Sequence, residues 1–406
     1  MPATAAVIGA GLAGIATAYA LARRGVEVTL IERQAAPGLG ASYANGAQLS
    51  WLYTDALASP RVLRQLPRLA LGLDEAFRLK PSADPAFIRW LLQFLRNCTT
   101  ARFRANTLAS LELGLESRAA MYALLERHPI EFGYALRGKM QLYENAEAFR
   151  AARATMEAKV AHGAVQTALT PEQAALIEPS LASVVPRLAG VIYSPAEAVG
   201  DSHQFCLRLH AVLERDYGVT SHFGFDVARI ENEAAGAIVL GSEGERVRAD
   251  LAVLCSGADA VRLLQAHGHR PPIWPMKGYS FMAPPGSTPP AMSLSDTQRR
   301  LVFTRLGERV RIAGLAELGE RSTQLNRERI AALVAAARAS LPDAARYDEA
   351  ADFWAGVRPM TPDSLPRIAR PHPALGFNLG HGMLGWTLAM GTAERLAALV
   401  TNEPVS

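Results

Sequence analysis

Apolar positions along the chain fall into runs of two kinds. Short apolar-rich runs predict strands at Ala5-Ala6-Val7-Ile8, Val26-Glu27-Val28-Thr29-Leu30-Ile31 and Ala249–Ala258. The first and last read as buried and parallel, because neither face carries a polar repeat. Spacings of three and four predict helices instead. Within 55–130, which reads as helical, Phe87, Trp90, Leu91, Phe94 and Leu95 share one helical face. Helices are also predicted from Gly14 to a stop at Gly25, over 146–162, 171–178, 203–216 with Gly218 as the stop, 326–340 and 388–400. Short strands are predicted at Lys139–Tyr143, 191–193, 219–222, 227–230, 237–240, 247–248, 301–304 and 310–313. Pro271–Pro290, rich in proline and glycine, and Trp354–Asp363 carry no predicted element.

The first strand runs into Gly9-Ala10-Gly11-Leu12-Ala13-Gly14, a G-x-G-x-x-G turn that opens a helix. Gly9 permits the sharp turn, Gly11 lets the backbone approach a pyrophosphate, and Gly14 brings the helix close to the strand. The helix N-terminus offers N–H groups and a positive dipole end to phosphates. Glu32 closes the second strand, where an acid accepts hydrogen bonds from ribose hydroxyls. This order predicts a bound dinucleotide. Glu32 argues against NADP, whose extra phosphate prefers an arginine, but leaves NAD and FAD open. The following small and polar stretch, Gly38–Ser50, suits a loop lying along an extended cofactor. Arg33, Ala41, Ser42, Asn45, Gly46, Gln48 and Leu49 are therefore expected to contact it.

A second concentration of glycine lies near the end. Gly380, Gly382 and Gly385 precede the last helix, and Met383, Leu384, Trp386 and Thr387 belong to the same turn. Such an N-terminus stabilises negative charge, which in a flavoprotein is the anionic edge of the reduced ring. Ser256-Gly257 reads either as a second close approach to the dinucleotide or as a tight corner after its strand. Val227, Gly356 and Arg358 complete the expected cofactor set.

Half of the 406 residues are hydrophobic, enough for two domains around a large core. The formal charge of +4 is mild, and no dense basic block with interleaved aromatics appears, so no nucleic acid is expected. Arg61, Arg64, Arg68, Arg78, Lys80, Arg89, Arg96, Arg102 and Arg104 face only Asp74, Glu75 and Asp84 between 61 and 104. That stretch reads as a surface meeting anionic lipid or as an insertion packed on the rest of the chain, and the two are compatible. Cys98, Cys206 and Cys255 are odd in number and far apart, which fits a reducing compartment and gives no metal spacing, so no metal is expected. The apolar N-terminus lacks a basic leader region, and no apolar run reaches the roughly 18 residues of a membrane span.

These features together resemble the FAD-dependent D-amino-acid dehydrogenase family, within the wider group of D-amino-acid oxidase, glycine oxidase and sarcosine oxidase. The likeness covers nearly the whole chain. It takes in the N-terminal fingerprint, Ser42–Ser50, Trp90–Cys98, Gly200-Asp201, Pro275–Ser280, Arg311–Glu317, Val357–Asp363 and Gly380–Thr387. The chain departs from the family at Gly46-Ala47, where Ala-Gly is common, and at Val357, where leucine is usual.

The resemblance implies an α/β fold with a discontinuous Rossmann-like FAD-binding domain of the glutathione-reductase type: 1–55, 155–225, 250–265 and 350–406. A second, α+β substrate domain on a mixed, largely antiparallel sheet would take 56–154, 226–249 and 266–349. It also implies noncovalent FAD and oxidative deamination of a D-amino acid to a 2-oxo acid and ammonia by hydride transfer to flavin N5. Electrons would pass to a quinone or other respiratory acceptor, in the cytoplasm or peripherally on the cytoplasmic face of the inner membrane. Arg358 is the expected carboxylate anchor, because a guanidinium fork fixes both oxygens. The alternative is a structural arginine paired with Asp363 or Asp352. Tyr279 is expected as a second carboxylate donor or else a core aromatic, Tyr53 as a cover that excludes water, and His381 as a positional residue or a general base. Other readings are a glycine, sarcosine or D-hydroxyproline oxidase or dehydrogenase of the same superfamily, a non-catalytic flavin-binding protein, and an NAD-linked dehydrogenase. The last is disfavoured by the single fingerprint and the C-terminal glycine turn.

Overall fold

In the computed structural model, which describes residues 2–70, 72, 74–233 and 236–403, the Thr4–Ile8 strand lies inside a six-stranded sheet. The side chain of Arg68 is outside the described residues. The sheet order is 220–223, 27–32, 4–8, 251–254, 375–379 and 367–372, all parallel except the last pair. Alternation explains why the first strand is apolar throughout. Ala5 and Val7 face helices Leu12–Ala22, Ser202–Tyr217 and Gly385–Thr401, while Ala6 and Ile8 face Val227, Ile230 and Val239 of a three-stranded sheet.

The second layer is a large mixed sheet. Its strands run in the order 351–360, 274–283, 309–318, 301–306, 293–296, 139–143, 190–194 and 167–169, with Phe77–Leu79 beside the end of 309–318. All its pairings are antiparallel except 293–296 with 139–143 and 77–79 with 309–318. Helix Arg327–Ser340 covers one face through Leu333 and Ala337. Arg311 of this sheet pairs at 3.1 Å with Asp201, the N-cap of helix Ser202–Tyr217, and so ties the two layers together.

The sheets divide the chain differently from the sequence expectation. Gly190–Ser194 and Ala351–Met360, expected with the nucleotide unit, are strands of the large sheet. The 227–249 strands, expected with the substrate unit, bury their apolar face on the six-stranded sheet. Trp274–Ala283 and Ala351–Met360, without a predicted element, are ten-residue strands paired to each other, with Pro275 opposite Pro359 near one end. The 55–130 region is not helical throughout. It holds helices Pro60–Ala70, Pro85–Asn97 and Thr100–Arg127 and the Phe77–Leu79 strand. Phe87, Trp90 and Phe94 are buried as their spacing predicts, and the Trp90 indole donates to the Met360 carbonyl at 2.9 Å. No helix among the described residues is long and apolar enough to cross a membrane.

Candidate functional site

The N-terminal turn, the 40–50 loop, the C-terminal glycine turn and one face of the large sheet enclose a continuous cavity of about 2860 Å³. At one end, Gly9 has φ +103°, and a Cβ there would stand 3.0 Å from the backbone of Cys255 and Ser256. A Cβ on Gly14 would meet the Gly9 carbonyl oxygen at 1.6 Å, so the helix rests directly on the turn. Ala10 and Gly14 thus shape the turn from behind, while Gly9, Gly11, Leu12 and Ala13 line the cavity. The Ala10 N–H donates to one Glu32 oxygen at 2.7 Å and the Gln34 N–H to the other at 2.9 Å. Each carboxylate oxygen keeps a lone pair for a ribose hydroxyl. Arg33, also on the wall, pairs with Asp259 at 2.7 Å. Ser42 Oγ accepts from Leu12 N–H at 3.1 Å, and the buried Ser256 Oγ has no partner among the described residues. Val227 and Gly257 border the same end. Helix N–H groups, two hydroxyls and a carboxylate in one channel fit the pyrophosphate and ribose of FAD.

The 44–50 loop is stitched across the large sheet. Ser280 donates to the Ala44 carbonyl at 2.6 Å, Thr304 to the Gly46 carbonyl at 2.8 Å, and the Gln48 amide to Ser293. The Gly46-Ala47 order has a local consequence. Gly46 sits where a Cβ would be 3.0 Å from Val302, and Ala47 takes the left-handed region at φ +55°. Ala41, Asn45, Gly46 and Gln48 line the cavity, but Leu49 does not. Residues in a strand alternate between faces, so Gln48 and Ser50 face the cavity while Leu49 joins the core with Trp51 and Trp386.

At the other end, Gly382, Met383, Leu384, Gly385, Trp386 and Thr387 present the N-terminus of helix Gly385–Thr401 to the cavity. Gly380 lies behind them, where a Cβ would be 2.6 Å from Thr361. His381 is buried on this wall, with Nε2 2.9 Å from Thr392 Oγ1. That hydroxyl donates to the Ala389 carbonyl and accepts from Asn378, so His381 is the donor in their bond. Burial pulls its pKa down to about 4, which makes it a neutral positional group and a poor base.

Arg358 lies in the edge strand opposite Met276, with its guanidinium over Gly278, where a Cβ would stand 2.4 Å from Nη2. Gly356 lies on the same wall. Arg358 has no hydrogen bond or ion pair among the described residues, and burial pulls it down to about 10. The partners that a structural role required are taken elsewhere: Asp363 pairs with Arg367 at 2.8 Å, and Asp352 pairs with Arg309. Tyr279 does not meet the expectation of a carboxylate donor. One residue beyond Gly278, it points to the opposite face, is 1% exposed, and donates to Glu317 at 2.9 Å. Glu317 in turn pairs with Arg329 at 2.9 Å. Tyr53 does line the cavity, and burial together with nearby Asp55 raises its phenol.

Around Tyr53 lie four charged residues that sequence reading missed. Lys139 Nζ donates to Gln48 Oε1 at 2.7 Å and Ser50 Oγ at 2.8 Å and stands 4.4 Å from the Tyr53 ring centroid. Lys159 Nζ donates to the Leu52 carbonyl and Asp55 Oδ1, both at 2.8 Å. Glu197 accepts from the N–H groups of Trp51 and Leu52 at 2.7 and 2.9 Å. Burial lowers the Lys139 ammonium and raises the Glu197 carboxyl, and each is drawn partly back by the other's charge. The one available signal was a lysine opening a strand, Lys139–Tyr143, whose five residues are all buried.

The chain matches the family model described as FAD dependent oxidoreductase (DAO) over residues 4–399. It is 40% identical to D-amino acid dehydrogenase 2 of Ralstonia nicotianae, over 98% of this chain and 96% of that protein. It is 37% identical to D-amino acid dehydrogenase 2 of Pseudomonas aeruginosa, over 98% and 95%. Among solved structures, glycine oxidase from Geobacillus kaustophilus superposes with a TM-score of 0.77 at 22% identity, covering 100% of this chain and 96% of that one. L-proline dehydrogenase from P. horikoshii gives 0.75 at 18% identity, covering 98% and 93%. These two likenesses concern the fold.

Proposed function

The chain belongs to the DAO family of FAD-dependent oxidoreductases, and on that premise we propose that it oxidises D-amino acids to 2-oxo acids and ammonia, with a quinone as electron acceptor. The observation that carries this reading is Arg358, a half-buried guanidinium with no partner among the described residues, on the wall of a cavity whose other walls suit FAD. Such a group calls for an anionic ligand, and a planar fork matches a carboxylate. Bound FAD supplies the two-electron acceptor for the Cα–H bond. Arg358 holds the substrate carboxylate and so sets the direction of that bond. Tyr53 covers the cavity and excludes water. His381 stays neutral and holds its turn through Thr392. The amine binds deprotonated, so no side chain removes its proton, and the imine product is hydrolysed by water.

We assign the phosphates to Gly9, Gly11, Leu12, Ser42 and Ser256, a ribose to Glu32, and the flavin edge to the Gly382–Thr387 amides. FAD is held noncovalently: Cys98 and Cys206 do not line the cavity, and Cys255 borders it beside Gly9, at the phosphate end. The six- and three-stranded sheets form the cofactor unit and the large sheet the substrate unit. Helix Pro85–Asn97 exposes Ile88 and Leu92 beside Arg89 and Arg96, which supports peripheral contact with an anionic membrane at its cytoplasmic face. Absence of co-sedimentation with anionic liposomes at low salt would remove that part of the proposal.

The deciding experiment is anaerobic bleaching of the flavin by D-amino acids, their L-enantiomers, glycine, sarcosine and D-hydroxyproline. Bleaching by D- but not L-enantiomers is expected, with fast recolouring by a quinone analogue and slow recolouring in air. Bleaching confined to glycine, sarcosine or D-hydroxyproline, or absent with every compound, overturns the reading.

A further inference from the structure

The segment Gln48–Asp55 carries Tyr53, and besides the Ser50 N–H, which donates to Thr387 Oγ1 of the C-terminal glycine turn at 3.1 Å, it is held by charged side chains. Three buried charged side chains hold it from three directions. Lys139 reaches from a strand of the large sheet, Lys159 from helix Ala146–Val160, and Glu197 from the turn after strand Gly190–Ser194. Their contacts divide the segment between them. Lys139 takes the side chains of Gln48 and Ser50 and one face of the Tyr53 ring. Glu197 takes the Trp51 and Leu52 N–H groups, and Lys159 takes the Leu52 carbonyl and Asp55.

Anchoring alone does not require this arrangement. Burying a charge is expensive, and apolar contacts of similar volume hold a loop at least as well. Charges retained at such a place therefore point to a requirement for defined geometry. Lys139 and Lys159 both border the cavity, and Lys139 is the one that also stands over the Tyr53 ring. It is 1% exposed, lies on the cavity wall, and spends two of its three N–H donors on Gln48 and Ser50, which leaves the third for the Tyr53 ring. The Gln48 amide is fixed at both ends, by Lys139 on its oxygen and Ser293 on its nitrogen. Among the described residues no side-chain hydrogen bond fixes the Tyr53 phenol, and the Lys139 ammonium stands 4.4 Å from its ring centroid.

We propose that Lys139 is a positioning residue for substrate binding, acting through Gln48, Ser50 and the ring of Tyr53 to hold the Gln48–Asp55 segment as a fixed wall of the cavity. The proposal rests on the D-amino-acid reading only where it speaks of substrate; the fixing of the segment stands apart from it.

The test uses FAD-loaded protein and two readouts. Hydrogen exchange of peptides spanning 48–55 is compared in wild type, Lys139→Met and Lys139→Arg. Lys139→Met is expected to raise exchange there at least tenfold and to leave the N-terminal turn unchanged, and Lys139→Arg is expected to restore most of the protection. Anaerobic titration with the best D-amino acid then separates dissociation constant from limiting reduction rate. Lys139→Met is expected to weaken binding at least tenfold and to slow reduction less than threefold, and adding Tyr53→Leu is expected to cause little further loss. Unchanged exchange in the segment overturns the proposal whatever the substrate. Raised exchange with unaltered affinity, or additive losses in the double variant, assigns Lys139 a structural role and overturns it too. If Lys139→Met exchanges faster throughout, Lys139→Gln takes its place. Should no D-amino acid bleach the wild type, the functional reading fails and exchange alone decides the proposal.

Discussion

Replacing Arg358 by methionine separates what this residue does for the fold from what it does for a ligand. Burial takes its guanidinium from 12.5 to about 10. That shift corresponds to about 3 kcal/mol of unrecovered desolvation, an upper bound because water in the cavity screens part of it. Methionine has similar length and no charge. The FAD-loaded Arg358→Met protein is therefore expected to melt at the same temperature as wild type or a few degrees higher. Catalysis should move the other way. A bidentate carboxylate contact comprises two charge-assisted hydrogen bonds worth about 1.5–3 kcal/mol each, so kcat/KM for the best D-amino acid should fall by about 10²–10⁴. Arg358→Lys, which keeps the charge and loses the fork, should fall between the two. Thermal melts read the first arm and anaerobic flavin bleaching the second. A variant that melts several degrees lower and keeps its kcat/KM would refute the reasoning, because Arg358 would then be a structural cation.

Gly278→Ala places a Cβ against the Arg358 guanidinium, a movable side-chain end, so KM should rise about tenfold or more with the melting temperature little changed; an unaltered KM would contradict this geometry. Tyr279→Phe strips one hydrogen bond from Glu317 and should cost about 1–2 kcal/mol in denaturant unfolding while leaving KM within twofold; a large KM effect would return Tyr279 to the site. Ala47→Gly relieves a left-handed alanine and should raise stability by about 1 kcal/mol, measured as a shift in denaturant midpoint at constant slope. His381 has a folded pKa of about 4, below its ordinary 6.5, so the unfolded chain takes up the proton first on acidification. Its contribution is complete above about pH 6.5 and is lost as pH falls through 4, about 3 kcal/mol in all. His381→Asn should flatten the stability curve in that window, and an unchanged acid slope would exclude His381 as its source.

The parts of the fold written in local pattern were legible in the sequence. The N-terminal strand, turn, helix and acid follow one another closely in the chain, and Gly9 and Gly14 stand against the backbone atoms their roles require. The two strands that carry the substrate wall were not legible. Trp274–Ala283 is buried on nearly every residue and Ala351–Met360 opens with two exposed ones, so neither shows the clean alternation of a half-exposed strand, and Pro275, Gly278, Gly356 and Pro359 mimic loop composition. Side-chain direction depended on a parity no composition reveals. Tyr279 and Leu49 each sit one position from a cavity-facing neighbour, and one position in a strand is the whole difference between site and core. Lys139, Lys159 and Glu197 were invisible for another reason. They meet only because three distant elements converge on one segment, and apart from the lysine that opens strand Lys139–Tyr143 nothing near them in the chain signals that meeting.

The strand order of the six-stranded sheet has a consequence for synthesis. Thr4–Ile8 acquires Glu27–Glu32 as a neighbour at once, but its other edge waits for Leu251–Leu254, and that strand in turn waits for Leu375–Leu379. At roughly 5–20 residues per second, a ribosome needs about ten to fifty seconds to deliver the first of these. Through that interval an apolar strand has an unpaired edge, and the glycine turn lacks the Cys255–Ser256 backbone that closes behind it. Nascent chains shorter than this therefore present an aggregation-prone edge to chaperones, and cofactor capture becomes one of the last events in the maturation of the protein.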